Sequence, residues 1–222
     1  MQEENTKKYR KTVVYDMTYT NSPLVDYTQI SPHRGSRNGH AIDTITIHCA
    51  AAQAAVETLG RLFQTKQASA NYGIGADGRV GMYVEEKDRS WCTSNNANDA
   101  RAVTIEVACD NRHPYAVKDA VYKKLIALVA DVCKRNGIAK LVWSTDKYDR
   151  MNHKGGCNMT VHRDYENKAC PGQWLYDRHG QIAAEVNKIL EDEDMVRWAK
   201  LDDIPEGYRA MAVSYTHLTL PT

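Results

Sequence analysis

The chain has 222 residues, of which 42% are hydrophobic and 26% are charged, and its formal net charge at pH 7 is +1. This hydrophobic share excludes wholesale disorder, and the near-zero net charge gives no general case for nucleic acid or an anionic membrane as a partner. The sequence has no apolar run of about 18 residues, so we predict no membrane insertion, and its start lacks the apolar core of a standard secretory signal.

The chain opens with a polar segment and then a strand. Residues 1–40 are rich in turn residues and have no sustained hydrophobic period, so we interpret them as an N-terminal arm that packs on a core. Residues 43–49 alternate strictly, with Ile45 and Ile47 on one face and His48 on the other. This pattern predicts a strand with a single apolar face.

A helix, a hairpin and a second strand follow. Residues 54–66 carry apolar side chains at helical spacing, and residues 72–84 contain two short strand patterns around an Ala-Asp-Gly turn signal. Residues 88–101 have the composition of a loop. Residues 103–107 alternate again, which places Glu106 on the polar face of a strand.

The C-terminal half continues the alternation of helices and strands. The clearest helix spans residues 117–136, and Gly137 ends it. We expect a short strand at 141–143, a loop over 144–158 and a second amphipathic helix over 173–190. Strands that alternate with helices indicate an α/β fold.

The domain organisation follows from a change in composition near residue 190. The α/β domain is predicted over residues 41–190. Residues 191–213 are interpreted as an acidic linker and the opening of another module, and the last nine residues, 214–222, fit no element. These nine residues resemble translated adapter sequence, so we predict a non-native tail.

The six cysteines could form three disulfides in 15 different pairings. Because the chain lacks a standard secretory signal, we expect it to fold in a reducing compartment, where most of these cysteines are buried thiols. None of the cysteines has C-x-x-C spacing, which excludes a zinc ribbon or a thioredoxin motif.

Two histidines and one cysteine are candidate metal ligands. His48 and His162 each end a short alternating run, on the face opposite the aliphatic residues. A strand end that opens onto a loop is where α/β proteins place their sites, and zinc favours His nitrogen and Cys sulfur. A lone histidine is more often structural, and by its spacing alone Cys170 fits a buried thiol before a Pro-Gly turn.

Three segments resemble the zinc-dependent N-acetylmuramoyl-L-alanine amidases, a family that includes phage endolysins and is related to peptidoglycan recognition proteins. The segments are Thr-Ile-His48-Cys-Ala, Asn-Tyr72-Gly-Ile-(x)3-Gly78 and His162-(x)5-Lys168-Ala-Cys170-Pro-Gly. They lie in the family's order over about 40–190, and the third is the most specific. The resemblance implies a central mixed β-sheet flanked by helices, with a zinc site in a groove at the sheet surface.

The resemblance also implies a ligand set and a general base. By it, His48, His162 and Cys170 bind one Zn²⁺, which activates a water molecule for attack. Glu106 is expected to act as the general base. If the strands that carry His48 and Glu106 are neighbours, the carboxylate faces that water; without this role it is a solvent-facing strand residue.

Further roles are implied for residues around the metal. Lys168 is expected to stabilise the oxyanion, with a surface lysine as the alternative. Tyr72 is expected to orient the water or the intermediate, with a core tyrosine as the alternative. Asp164 is a candidate for holding a ligand imidazole, and Cys49 is expected to lie in the core.

Three more residues are candidates for contact with the substrate. Trp91 and Asn95 lie in the predicted loop over 88–101, where an aromatic face would suit a sugar ring. His153 lies in the loop over 144–158, which could line the groove. The alternatives are a packing tryptophan and a surface histidine.

The sequence therefore predicts a peptidoglycan hydrolase that uses zinc-activated water to cleave the amide between N-acetylmuramic acid and L-alanine of the stem peptide. We expect a monomeric phage or prophage endolysin, made in the cytoplasm without a signal peptide and released to the wall by a holin or by lysis, with bacterial peptidoglycan and not nucleic acid as partner. Residues 191–213 then resemble the start of a truncated wall-binding module.

Two other functions compete with this one. A non-catalytic peptidoglycan recognition module is the main alternative, although such relatives typically lose a zinc ligand and here all three positions are filled. An unrelated zinc metallopeptidase is disfavoured, because the sequence has no His-Glu-x-x-His motif.

Overall fold

The computed structural model describes residues 20–201, with side chains up to residue 192. Within this range the chain forms eight strands and five helices. The strands are β1 Tyr27–Thr28, β2 Arg34–Ser36, β3 Thr44–Cys49, β4 Tyr72–Ile74, β5 Val80–Met82, β6 Asp88–Ser90, β7 Ala102–Val107 and β8 Met159–Thr160. The helices are α1 Val56–Thr65, α2 Asn96–Arg101, α3 Asp119–Arg135, α4 Lys147–Met151 and α5 Gln173–Leu201, with 3₁₀ turns at Lys154–Gly156 and His162–Asp164.

Six of the strands form one mixed sheet in the order β1-β5-β4-β7-β3-β8. Adjacent strands in this sheet are parallel, except that β4 and β5 form an antiparallel hairpin. Strands β2 and β6 pair separately. The predicted α/β fold with a central mixed sheet and flanking helices is confirmed.

The two faces of the central strands differ in chemistry. On one face Ile47 and Ile105 belong to the main hydrophobic core, together with the apolar residues of α3 and α5. On the other face Thr46 and Thr104 are also fully buried. The sequence predicted one apolar face, but helices cover both: Leu59 of α1 lies over β4 on the polar side, and α2 lies over β3.

Asn98 of α2 is the centre of this buried polar layer. Its amide group donates to Thr46 Oγ1 at 3.1 Å, and its carbonyl oxygen accepts from Thr160 Oγ1 at 2.8 Å and from the Tyr165 hydroxyl at 3.0 Å. Buried polar groups are costly unless they are hydrogen-bonded. The network therefore fixes α2 and β8 against β3, close to the strand end that carries His48.

Two local predictions are wrong. Residues 88–101 contain β6 and α2, not only a loop. Residues 141–143 form no strand, because side-chain amides take up their backbone N–H groups: Leu141 donates to Asn187 Oδ1 and Val142 to Asn158 Oδ1.

The C-terminal helix is longer than predicted, and the loop over 144–158 contains the short helix α4. Helix α5 does not stop at residue 190 but continues to Leu201. Residues 191–201 contain neither glycine nor proline, so nothing in the sequence interrupts the helix. Among residues 20–201 no helix is long and apolar enough to cross a membrane.

The division of the chain into residues 1–40, 41–190, 191–213 and 214–222 stays a prediction. Residues 1–19 and 202–222, which include most of the proposed module and the whole proposed tail, lie outside the described residues. All six cysteines are described and are free thiols, but only Cys109, Cys133 and Cys157 are buried, so the prediction that most of them are buried holds for half.

Glu86 joins several elements in one buried ion-pair network. Its carboxylate is fully buried and accepts hydrogen bonds from Arg135 at 2.6 and 3.0 Å and from the Asn136 amide at 2.8 Å. The Tyr72 hydroxyl donates to it at 2.6 Å. Removing one partner of a buried pair leaves the other charge uncompensated.

We expect Glu86→Gln to lower the free energy of unfolding by about 2 kcal/mol, because the largely buried Arg135 loses one of its two carboxylate partners and keeps only Asp131. Glu57→Gln is the matched control, since Glu57 forms an exposed bidentate pair with Arg79 and such pairs contribute little. Urea denaturation followed by circular dichroism measures both. Equal losses for the two variants would contradict the assignment.

Candidate metal centre

His48 and Glu106 lie side by side on the polar face of the sheet. The parallel register of β3 and β7 pairs His48 with Glu106, and paired residues on neighbouring strands point to the same face. The expectation that these two strands are neighbours is confirmed.

The side chains of His48, His162 and Cys170 converge at this point. One potential ligand atom from each lies within 4.8 Å of the others, and Cys170 Sγ is 3.3 Å from His48 Nδ1. The two imidazole rings are 5.1 Å apart between centroids. Two imidazoles and one thiolate are a donor set that zinc takes in catalytic sites, where a fourth position is left for water.

Burial favours the neutral form of each of these groups. It lowers the pKa of His48 to about 3, with added repulsion from His162 and His179, and it lowers the pKa of His162. It also raises the pKa of the Cys170 thiol. Neutral imidazole is the form that binds metal, and a bound cation favours the thiolate. The three residues therefore fit Zn²⁺.

Glu106 is partly buried, and its carboxyl group has only one weak contact in the described structure. Burial raises its pKa to about 7, and its Oε2 has no hydrogen-bond partner among the described residues. The other oxygen, Oε1, is 4.0 Å from Cys92 Sγ. A carboxyl group with such a pKa can both take up and release a proton near neutral pH.

A cavity of about 570 Å³ opens over these residues. Glu106, His162 and Cys170 form part of its wall. Lys168 also lines it, and its ammonium group contributes to lowering the pKa of His162. Trp91 lines it with 37% of its surface exposed, and its ring is 5.5 Å from that of His33.

The segment that carries Cys170 is tied to the turn that carries His162. The Arg163 backbone N–H donates to the Cys170 carbonyl at 3.2 Å, and Arg163 Nη2 donates to the Ala169 carbonyl at 2.7 Å. Gly172 has φ +80°, and a Cβ there would lie 2.6 Å from Tyr115 Cβ. The glycine of the Cys-Pro-Gly sequence is thus required by its backbone conformation and by the close packing of Tyr115.

The predicted role of Asp164 is wrong. Its carboxylate does not hold an imidazole but forms a buried bidentate ion pair with Arg150, at 2.6 Å for each bond. Arg150 also lies over the ring of Trp143, at 4.6 Å from the centroid. Because Asp164 and His162 share one 3₁₀ turn, this pair helps to fix the turn. No sequence motif marked Arg150, since arginine is usually exposed.

Tyr72 lies on the opposite face from the candidate centre. It pairs with Ile105, not with Glu106, so it points into the aliphatic layer. Its hydroxyl donates to Glu86 and accepts from the Ser22 backbone N–H at 2.8 Å. The prediction that Tyr72 acts at the metal is therefore wrong, and the core alternative holds.

Two predicted substrate contacts lie away from the cavity. Asn95 accepts from the Asn98 backbone N–H at 2.9 Å as the N-cap of α2, and His153 Nδ1 is 3.0 Å from the Cys157 carbonyl. Within the described chain neither residue lines the cavity. Cys49 packs against the main hydrophobic core, as expected, and it also lines the cavity, where its backbone N–H donates to Cys170 Sγ at 3.4 Å.

Comparisons with known proteins agree with this geometry. A family model described as N-acetylmuramoyl-L-alanine amidase matches residues 38–173, which is more than half of the chain. No curated protein sequence matches.

Several solved structures share the fold. A selenomethionine derivative of AmpD is 18% identical, with a TM-score of 0.53 over 73% of this chain and 96% of that one. The endolysin amidase LysCS from Clostridium intestinale URNW is 18% identical, with a TM-score of 0.53 over 76% and 98%. A mutant endolysin from Bacillus subtilis is 16% identical, with a TM-score of 0.52 over 73% and 99%. At these identities the likeness shows the fold alone.

The raised pKa of Glu106 predicts a pH-dependent stability cost in the chelator-treated protein. The unfolded chain loses this proton near pH 4.5 and the folded chain near pH 7, so the folded state loses stability as the pH rises between these values. At pH 8 we expect Glu106→Gln to be more stable than the wild type by about 3 kcal/mol.

The difference in unfolding free energy between Glu106→Gln and the wild type should shrink below pH 7 and vanish near pH 4.5. Urea denaturation at several pH values measures it, with Glu191→Gln, an exposed carboxylate near the end of the described side chains, as the control. A stability difference that does not depend on pH would show that Glu106 does not titrate as the structure indicates.

Proposed function

The chain belongs to the N-acetylmuramoyl-L-alanine amidase family, and from that premise we propose that it hydrolyses the amide between N-acetylmuramic acid and the L-alanine of the stem peptide in bacterial peptidoglycan. The observation that carries this proposal is the convergence of His48, His162 and Cys170 beside Glu106, whose Oε2 has no hydrogen-bond partner among the described residues. That it is a monomeric phage or prophage endolysin is a further part of the proposal and rests on the sequence resemblance alone.

We assign His48, His162 and Cys170 as the ligands of one Zn²⁺. When bound, zinc lowers the pKa of a coordinated water and polarises a carbonyl oxygen. The protein contributes two neutral imidazoles from fixed backbone positions and one thiol on a segment that Arg163 holds in place.

Glu106 then moves the proton that the reaction requires. It accepts a proton from the attacking water as the C–O bond forms, and it delivers that proton to the L-alanine nitrogen as the C–N bond breaks. Its position beside His48 puts the carboxylate within the same layer as the ligands. Lys168, at the cavity wall, supplies positive charge for the oxyanion.

The rest of the cavity wall suits a peptidoglycan fragment. Trp91 presents an exposed aromatic face, which suits a sugar ring or an alkyl chain. Lys66 and Arg89 also line the cavity, and their charges complement the carboxylates of a stem peptide. We propose that these three residues contact the substrate, in place of Asn95 and His153.

The alternative of a non-catalytic recognition module is less well supported. A binding module has no use for a carboxyl oxygen that is shielded from water and has no hydrogen-bond partner, because shielding it costs stability. Buried groups with strongly shifted pKa values are instead typical of catalytic sites. Glu106 is such a group, and it lies in the cavity beside a complete set of ligands.

Digestion of purified peptidoglycan, followed by mass spectrometry, tests the activity. We expect released stem peptides with free L-alanine amino termini, loss of cleavage with a chelator, and recovery on addition of zinc. Binding without cleavage would favour the recognition module. Cleavage at another bond would overturn the assigned reaction.

Two pairs of variants test the assigned residues. Cys170→Ser is expected to lose bound zinc, measured by elemental analysis, whereas Cys157→Ser should keep it, because Cys157 already donates to a backbone carbonyl away from the site. Glu106→Gln should keep zinc at the ligands and lower kcat by about 100-fold or more, with Glu191→Gln as the control. Near-normal turnover of the zinc-loaded Glu106→Gln would remove the base role.

A further inference from the structure

The cavity holds a second group of potential ligands, in which Cys92, a residue without a role in the proposed reaction, joins His48 and Glu106. One ligand atom each from His48, Cys92 and Glu106 lies within 4.8 Å of the other two. Cys92 belongs to the loop between β6 and α2, and both Cys92 and Glu106 line the cavity. This group shares only His48 with the set that contains His162 and Cys170.

The position of Cys92 is fixed by its backbone. The Asp99 carboxylate accepts from the N–H groups of Cys92 and Thr93, each at 3.0 Å, and from the Thr93 hydroxyl at 2.6 Å. Asp99 is itself buried. These hydrogen bonds fix the loop backbone, and the fixed backbone places the Cys92 thiol close to Glu106.

The group also has unused ligand capacity. Glu106 Oε2 is buried without a hydrogen-bond partner among the described residues. The Cys92 thiol meets Glu106 Oε1 only at 4.0 Å, which is a weak contact. Buried polar atoms normally have a partner, so a cation bound between Cys92 and Glu106 would satisfy both side chains.

We propose that Cys92 and Glu106 bind a second, thiophilic divalent cation such as Zn²⁺ or Cd²⁺. A neutral imidazole has one free lone pair, so His48 stays with the first ion, and the second ion takes the Cys92 sulfur and a Glu106 oxygen and completes its coordination with water. The two ions are neighbours, because a His48 ring nitrogen lies within 4.8 Å of the Cys92 and Glu106 ligand atoms. Thiolate and carboxylate together favour Zn²⁺ over Mg²⁺ and Ca²⁺, which take oxygen ligands.

A cation at this position inhibits hydrolysis, and this part of the inference rests on the proposed function. A carboxylate that ligates a cation cannot accept a proton from the attacking water. The protein is thus activated by the first equivalent of zinc and inhibited by excess zinc. Saturation of the second position costs about the contribution of a general base, roughly 100-fold in rate.

Metal binding by the whole chelator-treated chain tests the site without any reference to activity. Titration with Cd²⁺ is followed by ultraviolet absorption of the cadmium–thiolate bond, and bound Zn²⁺ is counted by equilibrium dialysis with elemental analysis. We expect the wild type to bind two ions, with one thiolate signal removed by Cys170→Ser and a separate one removed by Cys92→Ser. Cys157→Ser is the matched control and should keep both signals.

The second arm measures the amidase rate at one equivalent of zinc and in excess zinc. The quantity compared between variants is the rate at one equivalent divided by the rate in excess zinc. We expect a ratio of about 100 for the wild type and close to 1 for Cys92→Ser. Binding of a single ion by the wild type, or an unchanged cadmium spectrum in Cys92→Ser, would overturn the site. Two ions without inhibition would overturn the inhibitory role. A Cys92-dependent ion in a protein with no amidase activity would leave the site standing and remove the proposed function.

Discussion

The in-register parallel pairing of β3 with β7 is the constraint on which the candidate centre depends. It puts His48 and Glu106 next to each other on one face and Ile47 and Ile105 on the other. The aliphatic face anchors the strands to α3 and α5, so the polar face is held rigidly. A shift of one residue would exchange the two faces and remove both functional side chains from the cavity.

The other two ligands come from irregular backbone, which needs its own support. Asp164 and Arg150 form a fully buried pair beside His162, and Arg163 connects the His162 turn to the Cys170 segment. Charged side chains are rarely buried unless they are paired. Within the described residues no sheet hydrogen bonds hold these two segments, so the ion pair and the Arg163 contacts keep His162 and Cys170 in the fixed positions that a metal site requires.

The buried polar side chains differ in whether they have hydrogen-bond partners, and this difference separates residues that stabilise the fold from those at the candidate centre. The threonine hydroxyls of β3 and β8 are satisfied through Asn98, and Glu86, which contacts Tyr72 and α3 on the other side of the sheet, is surrounded by donors. Glu106, on the same face as the threonines, has no such donors and carries a raised pKa. Three buried polar atoms that lack partners among the described residues, on His48, His162 and Glu106, thus lie at the candidate centre, where a cation and a substrate would engage them.

The sequence by itself determined the α/β fold, the faces of β3 and β7 and the three ligand candidates, because alternation with period 2 and a specific motif spacing are local signals. It did not determine the face of Tyr72, the capping role of Asn95, the pairing of Asp164 with Arg150 or the approach of Cys92 to Glu106. The cap at Asn95 is local, since its partner is Asn98, but it depends on the helix α2, which the loop-like composition of residues 88–101 did not predict. The other three depend on which strand or loop lies opposite, and that partner is more distant in the chain. Only the packing of helices onto both faces of the sheet decides it, because burial converts polar side chains into hydrogen-bonded, ion-paired or unpartnered groups.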